Sequence, residues 1–304
     1  MGADKRLNNP GHLVLSFPGP EPDTELQEWI CSGIVAGVVL FADNFVSTSQ
    51  MIETNTRLKA WGGESFCIMI DEEGGRVRRL PPAISPMLAL STYGIKGETT
   101  RAASDYAAVS RTLLGLGITT LLAPVVDVRS AQNTWLADRT FSDHPTAVAD
   151  FTAHAVRAIQ QTGLAACAKH FPGLGGVRDD LHRHQFVVED SAQTIQERDL
   201  PPFRAAVTAG VKMVMVSHAV YHALDPTRPA VFSPLIVNDL LRRRLAFPGS
   251  ILSDDLAMGA ITSAMPIESA VERALEAGCD LVLVCRDRPL QRRAAKFLFD
   301  RMSR

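Results

Sequence analysis

Short apolar runs rich in β-branched residues alternate with longer stretches of helical periodicity along almost the whole chain. There are eight such runs: His12–Phe17, Gly37–Phe41, Phe66–Asp71, Thr119–Val126, Ala165–His170, Lys212–Ser217, Ser250–Asp254 and Leu281–Cys285. Several are apolar without alternation, the pattern of parallel strands covered on both faces. The stretches between them carry helix-boundary signals. Ser233-Pro234 offers an N-cap and an N1 proline ahead of the run to Leu245, and Asp143 to Pro145 opens a helix that Gly163 closes. Ile267, Ala270, Val271, Ala274 and Leu275 make an apolar stripe that ends at Gly278. Eight β–α repeats predict an α/β fold, a (β/α)8 TIM barrel, ahead of a doubly wound sheet. No GxGxxG fingerprint follows the first run, which weighs against the doubly wound alternative. A barrel accommodates the 304 residues, and no linker, charge block or low-complexity segment marks a second unit, so residues 1–304 read as a single domain.

Composition narrows the class of partner. Hydrophobic residues make up 46% of the chain and charged residues 21%, with a formal net charge of −2. Such a balance provides ample core and no global field for nucleic acid or an anionic membrane, so a compact, neutral small molecule is the expected partner. The five cysteines, Cys31, Cys67, Cys167, Cys279 and Cys285, are odd in number and lack CxxC spacing, as expected of free thiols in a reducing compartment. No apolar run reaches the ~18 residues that span a bilayer, and the first residues lack a signal-peptide pattern. These features predict a soluble, cytoplasmic monomer.

In a barrel, functional side chains belong at the carboxyl ends of the strands. The third run ends in Asp71-Glu72-Glu73-Gly74-Gly75-Arg76, the fourth in Asp127 with Asp138-Arg139 beyond, the fifth in Lys169-His170, the sixth in His218 and the seventh in Asp254-Asp255. Each piece alone has a plain reading, as a turn, a solvated strand tip or a helix cap. Together they load one rim with polar groups. Beyond the fifth run, Asp180 stands two residues before His182. An acid so placed can accept the imidazole N–H, fix the tautomer and raise the basicity of the other nitrogen, which is how a proton shuttle is built.

Lys169-His170-Phe171-Pro172-Gly173 followed by Asp180-Leu181-His182, Asp71-Glu72-Glu73-Gly74-Gly75-Arg76-Val77 before it, and Ser253-Asp254-Asp255-Leu256-Ala257-Met258 after it resemble glycoside hydrolase family 3. More narrowly, they resemble its single-domain bacterial β-N-acetylglucosaminidases of cell-wall recycling. The likeness runs from Phe41 to Cys285 and includes Ala123-Pro124-Val125-Val126-Asp127 and Asp138-Arg139-Thr140-Phe141. It implies a retaining β-N-acetylhexosaminidase acting on N-acetylglucosamine-containing glycosides or muropeptides, without cofactor or metal. Asp254 would be the nucleophile, His182 the acid/base and Asp180 its orienting partner, with sugar contacts from Asp71, Arg79, Arg139, Lys169 and His170. The chemistry of these residue types agrees: a carboxylate on a rigid strand end suits attack at an anomeric carbon, and an imidazole titrating near neutrality can donate and then accept a proton.

The chain also departs from the family pattern. Leu174 replaces a common second His, Gly176 and Arg178 replace acidic positions, and Arg183-His184-Gln185-Phe186 lacks a proline often found after the Asp-x-His. Alternative readings are a related family 3 β-glycosidase, a variant using phosphate as acceptor, a metal-dependent barrel hydrolase built on His182-Arg183-His184, and a sugar-binding protein without turnover.

Overall fold

In a computed structural model, described for residues 11–131, 133, 135–177 and 186–303, each of the eight predicted runs forms a strand. They are β1 (Leu13–Leu15), β2 (Val35–Leu40), β3 (Cys67–Ile70), β4 (Thr120–Leu121), β5 (Ala165–Phe171), β6 (Met213–Val216), β7 (Ser250–Asp255) and β8 (Leu281–Val284). Each pairs in parallel with its neighbour in sequence, and β1 pairs with β8 to close the barrel. Helices outside the barrel connect them, among them Thr48–Gly62, Thr99–Gly115, Pro145–Gln160, Ile267–Ala277 and Arg288–Met302.

Two apolar layers explain why the strands do not alternate between polar and apolar residues. Val14, Val39, Met69, Leu122, Cys167, Met215, Leu252 and Leu283 fill the barrel interior. Their strand neighbours, such as Leu13, Leu15, Val38, Leu40, Ile68 and Ile70, face outward and belong to the larger cluster shared with the helices. Both faces of each strand are therefore buried in apolar surroundings, and only the strand ends are free to carry polar groups.

Helix signals hold with small adjustments. Ser233 Oγ accepts from Ile236 N at 3.3 Å, and the helix that follows, Leu235–Arg244, is π-wound. Gly278 terminates Ile267–Ala277 in the left-handed region at φ 111°. The fourth run is less regular than its sequence predicts. Its ladder covers Thr120–Leu121, and pairing resumes at Val125 opposite Lys169. Pro124 accounts for the break, since it has no N–H to give to a ladder. A small sheet of Val187–Val188, Val220–Tyr221 and Asp225–Pro229 lies outside the barrel. It escaped sequence reading because two of its strands are two residues long and the third, Asp-Pro-Thr-Arg-Pro, has no strand pattern.

The long connection after β4 is held by the short helix Leu90–Ile95 from the connection after β3. Ser91 N donates to Asp138 O at 3.4 Å, and a Cβ on Gly94 would lie 1.5 Å from Phe141 O. Gly94 thus lets the backbone bearing Asp138, Arg139 and Phe141 lie directly against the helix. Gly94→Ala should therefore destabilise the protein by about 1–3 kcal/mol through overpacking, read as a lower urea midpoint. An unchanged midpoint would mean that the contact relaxes freely.

Candidate active site

Asp71, Arg79, Arg139, Lys169, His170 and Asp254, all predicted from sequence, line one cavity of about 340 Å³ at the carboxyl ends of the strands. Asp180 and His182 lie outside the described residues, as do Arg178 and His184.

The polar ring starts from a buried cation. Cys167 and Lys169 point to the same, inner face of β5, so Lys169 projects into the top of the barrel and is only 2% exposed. Its Nζ donates to Asp71 Oδ1 at 2.5 Å and pairs with Glu73 Oε1 at 2.7 Å. Burial would lower its pKa, but Asp71 and Glu73 more than reverse this and hold it above the ordinary lysine value. Arg139 forks onto the same Glu73, Nε to Oε2 at 2.8 Å and Nη2 to Oε1 at 2.9 Å. Arg79 Nη2 stands 3.6 Å from Asp71 Oδ2.

Local backbone geometry explains how residues from one segment meet. After β3 the chain turns through Gly74 and Gly75, both at positive φ, and Gly74 bridges Val77. The buried Glu72 carboxylate then accepts from Arg79 N at 2.7 Å, Leu80 N at 3.1 Å and Ser85 Oγ at 2.7 Å. Asp-Glu-Glu-Gly-Gly is thus a turn and part of the site at once. Strict alternation along β5 would send His170 away from the cavity. A register shift between Lys169 and Phe171 against β6 instead leaves both Lys169 and His170 on the cavity wall. The buried Asp127 fixes His170, taking its Nδ1–H at 2.8 Å and its backbone N–H at 3.3 Å, and leaves Nε2 for a ligand.

Asp254 sits at the end of β7, where the register against β8 shifts between Leu252 and Asp255. It is half-buried, and its Oδ1 accepts the Asp255 N–H at 2.8 Å. Burial pushes its carboxyl pKa up, but the imidazoles of His218 and His170, the Asp255 N–H and the Lys169 ammonium together pull it below the usual value. Burial also lowers His218, so its imidazolium no longer contributes at neutral pH. Asp255 has a different task. Its Oδ1 accepts from Ala257 N at 3.0 Å and Cys285 N at 2.9 Å, and its carbonyl accepts the His218 Nε2–H at 2.9 Å. Asp255 ties β7 to the end of β8, with its carboxyl raised by burial to about 6.

The Glycosyl hydrolase family 3 N terminal domain model matches residues 8–300. The chain belongs to glycoside hydrolase family 3. A β-hexosaminidase of Xanthomonas oryzae pv. oryzae is 37% identical over 279 residues, covering 90% of this chain and 83% of that protein. Among solved structures, native NagZ from Neisseria gonorrhoeae superposes with a TM-score of 0.88 at 29% identity, over 95% of this chain and 85% of that one. A family 3 β-N-acetylglucosaminidase from Paenibacillus sp. superposes with a TM-score of 0.92 at 28% identity, and this chain spans 58% of its length.

Sequence reading of this family 3 barrel missed several contributors. Glu73 and Asp127 sat on the polar rim but were left out of the site, because nothing in a sequence says that two cations will share one carboxylate or that an imidazole will lean on another. Trp135 and Phe186 line the cavity and stack on each other, with ring centroids 6.0 Å apart. They come from segments 51 residues apart in sequence, with no motif to connect them. Among the described residues, no three His, Cys, Asp or Glu side chains gather as a metal-binding set, and no helix is long and apolar enough to cross a membrane.

Glu73 carries a pH consequence. Burial raises its carboxyl, but Lys169 and Arg139 outweigh burial and hold it at about 2, below its ordinary 4.5. With the folded-state pKa depressed, its stabilisation is present above about 4.5 and is lost as pH falls towards 2. Urea midpoints measured across this window should fall steeply for the wild type and less steeply for Glu73→Gln, which has no carboxyl to protonate. Equal slopes would show that other carboxylates govern acid unfolding.

Proposed function

We propose that this chain is a retaining β-N-acetylhexosaminidase that releases terminal N-acetylglucosamine, with Asp254 as nucleophile and His182, oriented by Asp180, as acid/base. The observation that carries the reading is the placement of Asp254: a strand-end carboxylate, its pKa lowered by its neighbours, on the wall of a cavity ringed by directional donors and acceptors for hydroxyl groups. The β-hexosaminidases and β-N-acetylglucosaminidases to which the chain is similar point to the same sugar.

The steps follow from these roles. Asp254 attacks the anomeric carbon as the glycosidic C–O bond breaks, and the leaving oxygen takes a proton from His182. A water molecule then adds to the anomeric carbon of the glycosyl-enzyme, gives its proton to His182 and frees the Asp254 carboxylate. Lys169, Arg79 and Arg139 offer donors to the sugar, and Asp71 and the Nε2 of His170, whose Nδ1–H is held by Asp127, offer acceptors. Trp135, Phe186 and Met258 supply apolar surface for the ring faces. One domain, acting as a monomer on muropeptide-type glycosides in the cytoplasm, completes the reading. Its support is one closed barrel among the described residues and five free cysteines, as suits a reducing compartment.

Nitrophenyl β-N-acetylglucosaminide should be turned over in preference to the matching β-glucoside, and Asp254→Ala should abolish turnover while keeping the wild-type melting temperature. Near-normal activity in that variant would refute the nucleophile assignment, and preference for the glucoside would favour a β-glucosidase. Asp180→Ala should cost roughly 10²–10⁴-fold in kcat/KM with a poor leaving group. The loss should shrink with a leaving group that departs without a proton, and a uniform loss would count against His182 as the acid.

A further inference from the structure

Beyond β5 the segment Gly173–Val177 is tied down residue by residue. Tyr221 Oη donates to Gly173 O at 2.8 Å, Leu174 N to Asp127 Oδ1 at 2.8 Å, Asn133 Nδ2 to Leu174 O at 2.8 Å and Ser130 Oγ to Gly175 O at 2.6 Å. Val177 then bridges Val188 in antiparallel sense, so the chain leaves and re-enters this region at one point. The outgoing stem is Gly173–Val177 and the returning stem is Val188–Asp190.

A three-residue ion cluster lies against both stems. Arg198 forks onto Asp199, Nε to Oδ1 at 2.9 Å and Nη2 to Oδ2 at 2.8 Å, and the same Nη2 reaches Asp190 Oδ2 at 2.7 Å. The Asp199 side chain is fully buried and that of Arg198 is 18% exposed. Asp199 packs under the outgoing stem, where a Cβ on Gly173 would meet its Cβ at 2.6 Å and one on Gly175 would meet its Oδ1 at 3.2 Å. Gly176 meets the other carboxylate: a Cβ there would lie 1.9 Å from Asp190 Oδ2 and 2.8 Å from Arg198 Nη2. Gly173 sits at φ 128°, where glycine suits the backbone, but Gly176 is not among the positive-φ glycines. What a side chain at position 176 would displace is therefore the Asp190 carboxylate and its arginine.

We propose that Asp190, Arg198 and Asp199 clamp the outgoing stem to the returning stem and so position the acid/base group carried between them. They are positioning residues, not catalytic ones, and the inference rests on the acid/base reading given above. A guanidinium suits the task because its planar fork holds the Asp199 carboxylate through two bonds while the same group reaches Asp190. A solely structural cluster would affect every substrate alike. A clamp acting through the proton donor affects only those reactions whose leaving group needs a proton.

The test compares kcat/KM for phenyl and dinitrophenyl β-N-acetylglucosaminides in Asp190→Ala, Asp190→Asn, Gly176→Asp, the double variant Gly176→Asp/Asp190→Ala, and His182→Ala as reference. Asp190→Ala should lose about 10- to 100-fold on the phenyl substrate, the scale of a misplaced catalytic group, and stay within about two-fold on the dinitrophenyl substrate. Asp190→Asn, which retains an acceptor oxygen, should show the same ordering more weakly and guards against misfolding of the alanine variant. Gly176→Asp should be damaging alone, and the double variant should recover much of the loss because its new carboxylate can take the place of Asp190 beside Arg198. Equal loss on both substrates, or none, in the Asp190 variants beside a leaving-group-dependent His182→Ala would overturn the clamp alone. A His182→Ala variant indifferent to the leaving group would overturn the acid/base reading, and the clamp's role with it.

Discussion

Lys169 carries an ammonium group into a barrel interior filled mainly by apolar side chains, and the site depends on how that charge is met. A buried charge is tolerated only when paired and hydrogen-bonded, and two carboxylates converge on this one. Asp71 and Glu73 come from the turn after β3, two strands round the barrel from β5, so the pairing fixes that turn in space. Glu73 in turn holds Arg139 from the connection after β4, and Asp71 faces Arg79. One buried cation on β5 thus ties two connections into a polar ring whose members have little freedom to move. Preorganisation of this kind lets donors meet a sugar without the cost of ordering them at the moment of binding.

Regular strand geometry alone would not make this ring. Alternation sends every second side chain into the barrel, which would separate Lys169 from His170. Shifts of register at the ends of β5 and β7 break that rule where the polar residues stand. The departures are stabilised locally: Asp127 holds the His170 and Leu174 backbone N–H groups, and Asp255 bridges β7 to Cys285. The buried carboxylates around the rim therefore divide into those offered to a ligand and those spent on the backbone.

That division marks the limit of what the sequence discloses. Strand order and barrel closure were legible because eight β–α repeats admit few topologies, and Asp71, Lys169, His170 and Asp254 were legible because they stand at strand ends on the same rim, whereas Arg79 and Arg139 were legible only through the family resemblance. Asp71 and Glu72 stand side by side and look equivalent as letters, yet Asp71 lines the cavity while Glu72 is buried under the turn it holds. Periodicity separates inside from outside along a strand, but it stops at the strand's end, where backbone hydrogen-bonding needs decide which way each carboxylate faces. Trp135 and Phe186 were invisible for a related reason, since their stacking depends on how two long connections fold over the barrel mouth. The glycines of the outgoing stem were legible as a loop, whereas the reason for Gly176 lies 14 residues away in Asp190.

The proposed acid/base histidine, in place of a second catalytic carboxylate, also fits the charge balance of this ring. In a retaining site with two carboxyl groups, the acid must be kept protonated beside an ionised nucleophile, which requires environments that drive their pKa values apart. Here Asp254 is already depressed by its surroundings, and the nearby Lys169 is held cationic by two carboxylates. A further carboxylate brought close to Asp254 would raise its pKa and compete for the same cations. An imidazole avoids that penalty: neutral, it adds no negative charge, and protonated, it reinforces the ionised nucleophile. In the proposed mechanism the proton donor therefore adds no further anion to a ring that already holds Asp71, Glu73 and Asp254, so the ring can serve the sugar and the nucleophile together.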